Sequence, residues 1–380
     1  MFFSMKRKVV FVAMSGGVDS SVAALLLQRR GFEVVGVFMK NWSQNIPGTV
    51  VCSTEEDQRY ARHVASQLRI PFYSWDFEKE YREFVFEPMV RAYTQGLTPN
   101  PDVACNQHIK FGVFFEKAMS LGADYIATGH YVGKTKNFFN NEDILRTAKD
   151  KNKDQSYFLW TLSQDKLKHC FFPIGSYQKS TVRAIARSGG LVTADKKDSQ
   201  GLCFVGQVDF SRFLGRHIPD RKGEVIAVDC HTAGGYHGRV IGAHEGLHFF
   251  TLGQRQGIRI GGGVPYYVAG KDAKTNRLYV STYDCARDLF PVKVSLGQCH
   301  FISARRVEVK KNVLVRHRYR QPLRRAIIYI GSGKRGEARF AEPPFGIASG
   351  QSLVFYQGNT MLGGAVIEPF APDWMRNIVI

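Results

Sequence analysis

The string SGGVDSS, residues 15–21, lies directly behind the apolar run KVVFVAM and directly ahead of the helix-forming SSVAALLLQRRG. A strand-to-helix turn of this kind suits an anion. Gly16 and Gly17 let the backbone approach closely, the hydroxyls of Ser15, Ser20 and Ser21 can donate, and the helix start presents its positive end. A loop that grips a transferring γ-phosphate would place Lys-Ser or Lys-Thr after its last glycine, and this one has no lysine. The plain alternative is a tight turn capped by serines. Two more loops, MKNW (39–42) and TGHY (128–131), also end apolar runs. In an open parallel sheet all three would converge beyond the carboxyl ends of the strands.

The second chemical feature is sulfur. Cys52, Cys105, Cys170, Cys203, Cys230, Cys285 and Cys299 form no CxxC pair and no tight Cys/His spacing, so no bound metal is expected. An odd count without a secretory signal points to reduced, mostly buried thiols in a cytosol. Two cysteines stand in more suggestive surroundings. In NPDVACNQH, Asn100 is placed to cap a helix with Pro101 in its first turn, and Cys105, three residues after Asp102, lies on the same side. A thiol near a helix start tends toward thiolate. Cys203 sits between Gly201 and Gly206 in a polar loop that a sulfur donor could reach.

These residues need a scaffold. Up to about residue 135, short β-rich runs (KVVFVAM, EVVGVFM, PFYSWDF, ADYIATGH) alternate with amphipathic segments, which implies a parallel sheet covered by helices. Residues 154–190 read as helical throughout, as does VDFSRFLGRHI (208–218), with the sequence beyond it rich in glycine and β-branched residues. The expected architecture is α/β, with a parallel-sheet domain over 1–210, a central mainly-β domain over 211–280 and a C-terminal β-barrel over 281–380. The start, MFFSMKRKVVFVAM, has too short an apolar run for a secretory signal, reads as the first strand, and leaves Met5 as an alternative start.

Charge separates the ends of the chain. The net formal charge is +19, and residues 301–340 carry twelve Lys/Arg against Glu308 and Glu337. The period of two in NVLVRHRYRQ places Arg316, Arg318 and Arg320 on one face of a strand. So dense a cluster suggests a polyanion-binding face more than a merely solvated one. No segment approaches a membrane span, so the expected location is the cytoplasm and no membrane partner is expected.

SGGVDSS at the first strand-helix turn resembles the PP-loop of the ATP pyrophosphatases, which cleave ATP between the α and β phosphates. That resemblance would account for the missing lysine. FMKNW, NPDVACNQHIKF, GADYIATGHY, KDQSYFL, KKDSQGLCFVG, TLGQRQG and GQSLVFY, in this order, are similar to the tRNA-specific 2-thiouridylases of the MnmA type over residues 8–368. The resemblance implies an adenine-nucleotide α-hydrolase-like first domain and ATP, with Mg²⁺ alongside the nucleotide, bound by Ala13, Met14, Ser15, Gly16, Gly17, Val18, Asp19, Ser20, Met39 and Gly129. Asn100, Pro101 and Asp102 would meet the target base, and His130, Lys153, Asp154, Gln155, Arg318, Tyr319 and Gln351 the tRNA.

The implied chemistry is attack of a uridine C2 oxygen on the α-phosphorus. Cys203, loaded as a persulfide, then delivers sulfur, and Cys105 opens the persulfide to leave a Cys105–Cys203 disulfide. Alternatively, Cys105 liberates sulfide first. Asp102 would move a proton or simply serve the turn. The implied partners are Lys, Glu and Gln tRNAs and a cysteine desulfurase or relay protein, with the chain itself a monomer. Rival readings are a nitrogen-adding PP-loop synthetase, which would need neither cysteine, another tRNA modifier, or a non-catalytic RNA-binding protein. On Cys52 and the loosely family-like SQNIPGTVVCSTEED the resemblance places no role.

Overall fold

The computed structural model describes residues 7–43, 53–197, 215–232, 235–261, 263–303 and 310–380. Cys52, Cys203 and most of the helix expected at VDFSRFLGRHI therefore lie outside the described residues.

Val9–Ala13 (β1) is an apolar, mostly β-branched run and forms the middle of a parallel sheet. It pairs with Glu33–Lys40 (β2) on one side and Tyr125–Ala127 (β4) on the other. Phe72–Asp76 (β3) extends the β2 edge and Cys170–Phe171 (β7) the β4 edge, giving the order β3-β2-β1-β4-β7. Val18–Arg29 (α1) buries Val18, Val22, Leu25 and Leu27 on one face of this sheet, and the chain leaves it through Gly31 at φ +86°. Ser53–Leu68 (α2) covers the same face.

Residues 154–190 are not continuously helical. They hold a short 3₁₀ turn, Ser156–Leu159, the single turn Gln164–Leu167, strand β7 and only then the helix Lys179–Ser188. The apolar period of SYFLW serves a remote partner: Trp160 Nε1 donates to Ser352 Oγ at 3.0 Å and Tyr157 Oη to the Ser352 carbonyl at 2.9 Å. That partner is the C-terminal sheet. Val132–Lys136 (β5) and Asp143–Thr147 (β6) form a hairpin, unforeseen from sequence, that also joins it.

Gly223–Thr232 (β8), Gly235–His244 (β9), Tyr267–Asp272 (β10) and Arg277–Ser281 (β11) make a central sheet ordered β10-β11-β8-β9. A disulfide between Cys230 and Cys285 ties it to the helix Tyr283–Asp288, in contrast to the expectation that these two thiols stay reduced. Lys293–Gln298 (β12), His300–Phe301 (β13), Lys310–Arg316 (β14), Arg324–Ile330 (β15), Arg335–Phe340 (β16), Ser352–Gln357 (β17) and Thr360–Val366 (β18) form an antiparallel sheet ordered β12-β16-β15-β14-β17-β18. A bridge from Leu296 to Ile367 brings its two edges together into a barrel around Val294, Val315, Ile328, Leu353 and Phe355. The other face of β17 and β18 supplies Val354, Tyr356 and Met361 to the core that holds Tyr157 and Trp160. The barrel and the first domain thus share buried apolar surface, the main favourable term in holding them together.

Candidate active site

The chain leaves β1 at Met14, whose N–H donates to the Val37 carbonyl at 2.8 Å. Gly16 then adopts φ +74°, and a Cβ there would overlap the Asp57 carbonyl of α2, so both its dihedral and its surroundings require glycine. Gly129 is equally constrained: its Cβ would lie 2.7 Å from the Ser20 nitrogen and 2.8 Å from the Asp19 carbonyl carbon. The first and third of the anticipated loops therefore touch.

The serines do less for a ligand than their number suggests. Ser21 is fully buried and donates to the Gly17 carbonyl at 2.8 Å, and Ser20 Oγ accepts from the Ser15 N–H at 3.1 Å. Ser15 alone of the three is exposed. Two hydroxyls thus fix the loop, so an anion there would be met chiefly by backbone N–H groups.

Positive charge reaches the loop from far along the chain, with no local signal in the sequence. Lys179 Nζ lies 2.8 and 2.9 Å from the two carboxylate oxygens of Asp19, and Tyr131 Oη donates to the first of them at 2.8 Å. Lys196 Nζ lies 2.5 Å from Asp57 Oδ1 and 3.2 Å from the Gly16 carbonyl, over the Tyr60 ring. At the end of β2, Asn41 is fully buried and neither of its amide atoms is paired, while Met39 is packed in the core. A buried amide with both atoms unpaired has hydrogen-bonding capacity left over. Among the described residues no cluster of three acidic, histidine or cysteine side chains could hold a metal, and the loop's Asp19 is engaged by Lys179.

Asn100 caps the turn Pro101–Ala104 as anticipated, accepting from the Val103 N–H at 3.2 Å. From Cys105 to Val113 the helix widens to a π form. Cys105 is wholly buried, and burial pushes its thiol up to about 12, with Lys110 opposing and Asp102 reinforcing the shift. The thiolate expectation is overturned: enclosure outweighs any helix-end field at Cys105, the fifth residue of a helix that runs on as the π segment.

His130 is likewise enclosed. Its Nδ1 is 2.8 Å from Thr128 Oγ1, its ring stands near Phe111 and Phe172, and burial, helped by Lys110, holds it well below the usual histidine range.

The positions expected to meet RNA cluster where the barrel touches the first domain. Gln351 donates to the Pro99 carbonyl at 3.4 Å and lies 3.2 Å from Tyr157 Oη, so the barrel holds the chain just before Asn100. Strand β14 stops at Arg316, so the three arginines do not share one strand face. Arg316 turns inward to Asp154 at 3.0 Å, Arg318 donates to the Leu252 carbonyl at 2.5 Å, and Arg320 lies over the Tyr319 ring at φ +64°. Tyr319 leans on Phe158, with ring centroids 4.6 Å apart. Asp154 is buried with both oxygens taken up inside the protein, and Gln155 accepts from the Tyr131 N–H at 2.9 Å. Asp154 is thus committed inside the protein, while Lys153 and Gln155 keep partial exposure.

Residues 8–207 match the family described as the tRNA methyl transferase HUP domain, 211–282 its PRC-barrel domain, and 293–367 the aminomethyltransferase beta-barrel domain. Curated relatives include the tRNA-specific 2-thiouridylase MnmA of Streptococcus thermophilus, 45% identical over 373 residues and covering 97% of each chain. That of Streptococcus mutans is 45% identical over 368 residues, covering 96% of this chain and 95% of its own. The chain belongs to the MnmA family. Among solved structures, MnmA-family similarity gives way to distant likeness. A 4-thiouridine synthetase–RNA complex with bound ATP is 15% identical, covers 56% of this chain and 50% of its own, and has a TM-score of 0.33. An NMN synthetase from Francisella tularensis is 17% identical, with 51% and 67% coverage and a TM-score of 0.31.

Proposed function

We propose that the chain is a tRNA-uridine 2-sulfurtransferase that consumes ATP. The observation that carries this reading is the contact between barrel and turn: Gln351 and Ser349 hold residues 98–99, so RNA on the basic barrel would present a base to Asn100, Asp102 and Cys105. The nucleotide would occupy the cradle formed by residues 13–20 and Gly129, with Asn41 and Met39 on the adenosine side. Mg²⁺ would accompany the nucleotide and offset the charge of its phosphates.

In the proposed sequence the uridine C2 oxygen attacks the α-phosphorus and pyrophosphate departs. The terminal sulfur of a Cys203 persulfide adds at C2 and AMP leaves with the oxygen. Cys105 then bonds to Cys203 Sγ, the bond from that atom to the transferred sulfur breaks, and its electron pair stays on the 2-thiouridine. The Cys105–Cys203 disulfide left behind is reopened by an external thiol. Cys203 follows Lys196 by seven positions in the sequence. Asp102 is assigned the proton transfers, and the sulfur is assigned to a desulfurase or relay protein.

The test is mass analysis of nucleosides from Lys, Glu and Gln tRNAs after incubation with ATP, Mg²⁺ and a persulfide donor. The native chain should yield 2-thiouridine and RNA-dependent pyrophosphate. Cys203→Ser should yield no thiolated product, and equal product from Cys105→Ser and Cys203→Ser would remove the two-thiol scheme.

A further inference from the structure

We propose that Lys179 and Lys196 together replace the lysine missing from the loop: they grip the pyrophosphate half of the nucleotide from opposite sides, exchanging Asp19 and Asp57 for phosphate oxygens. This deepens the reading above and rests on it.

Both ammonium groups are largely enclosed, with side-chain exposures of 14% for Lys179 and 16% for Lys196, and each sits on a carboxylate beside the loop. In the resting protein the two pairs cancel, so the loop carries no net charge from these four groups. A polyphosphate entering there meets two carboxylates at close range unless the lysines move between the anions. A lysine can do so, since its compact charge rides on a flexible four-carbon stem.

Lys196 has a second effect through the backbone. Its ammonium holds the Gly16 carbonyl at 3.2 Å. Across the trans peptide the Gly17 N–H points the opposite way from that carbonyl, so fixing the carbonyl fixes the amide. The same side chain thereby sets the direction of an amide donor and supplies charge beside it. Lys179 approaches from the other flank, at the start of its own helix, where its N–H donates to Asp150 Oδ2 at 3.0 Å and fixes the origin of the side chain.

The experiment is calorimetric titration of the full chain with inorganic pyrophosphate and, separately, with AMP. Removing one charge-assisted hydrogen bond to the ligand should weaken binding by about 10- to 100-fold. Lys196→Met and Lys179→Met should show that weakening for pyrophosphate and leave AMP within about twofold, while Lys196→Arg and Lys179→Arg retain most pyrophosphate affinity. Asp57→Asn should tighten pyrophosphate binding, because it removes a competing anion. Unchanged pyrophosphate affinity in both methionine variants overturns the proposal. So does an equal drop in affinity for both ligands in Lys196→Met and Asp57→Asn, the signature of an ion pair that only holds the fold. A native chain that binds neither ligand refutes the nucleotide site itself.

Discussion

Arg316 of the barrel and Asp154 of the first domain form a buried ion pair, Nη1 to Oδ2 at 3.0 Å, with side-chain exposures of 13% and 1%. Asp154 also accepts from the Ala148 and Ser156 N–H groups and the Ser156 hydroxyl, so one carboxylate organises its own turn and the domain contact. Breaking such a pair from one side typically costs about 3–5 kcal/mol, because a charge is stranded. Arg316→Met should lower stability to urea by that order, and Asp154→Asn combined with Arg316→Met should recover part of it. A strictly additive double variant would show that the two side chains are not coupled.

Gly129→Ala tests the convergence of the loops. Its methyl group would press on the backbone of Asp19 and Ser20, which cannot yield as a side-chain tip could. Binding of AMP and pyrophosphate should fall at least about tenfold through displacement of the cradle. Gly122→Ala is the comparison in stability, since φ +88° there carries only dihedral strain in open space.

Acid should weaken the fold through its histidines. Burial, reinforced by Arg318 and Arg324 and opposed by the bond to the Phe345 carbonyl, lowers His317 to about 4, and His130 is also held low. The unfolded chain takes up these protons near the ordinary 6.5 while the native chain refuses them. The histidine contribution is therefore complete above about pH 6.5 and is lost as pH falls toward 4. Urea midpoints measured from pH 7 to 4.5 should decline, less steeply for His317→Gln.

Cys105 should be sluggish in the free protein. With its thiol pushed up to about 12 from an ordinary 9.0, its thiolate fraction at pH 8 is about a thousandfold below that of a free thiol. Iodoacetamide labelling of Cys105 in a Cys203→Ser background should be correspondingly slow. If RNA opens the site for chemistry, tRNA with ATP should accelerate labelling at least tenfold. Fast labelling of the protein alone would show that Cys105 is not enclosed in solution.

What could be read from sequence was what neighbours along the chain decide. β1 and α1 were legible because an apolar run, Gly31 and the SGGVDSS turn mark them locally, and the Asn100 cap followed from the same short-range logic. The β5–β6 hairpin was illegible because its mixed strings VGKTK and DILRT join a sheet only through β6, whose partner strand lies more than 200 residues away. Arg316, Arg318 and Arg320 alternate correctly, but the strand ends before the alternation does, since His317 and the φ +64° of Arg320 belong to a turn. Lys179 and Lys196 could not have been found, because no local pattern links them to a loop 160 or more residues earlier. Enclosure of Cys105 is a property of packing, and no spacing announces it.

Arg146 of β6 pairs with Thr360 of β18, and the Thr147 N–H donates to the Asn359 carbonyl at 2.9 Å. A ribosome that has delivered only the first 300 residues therefore holds a chain whose Tyr157 and Trp160 still await their cover. Assembly of the first half must wait on the last strands to emerge, and prematurely terminated products would offer that uncovered surface to chaperones and proteases.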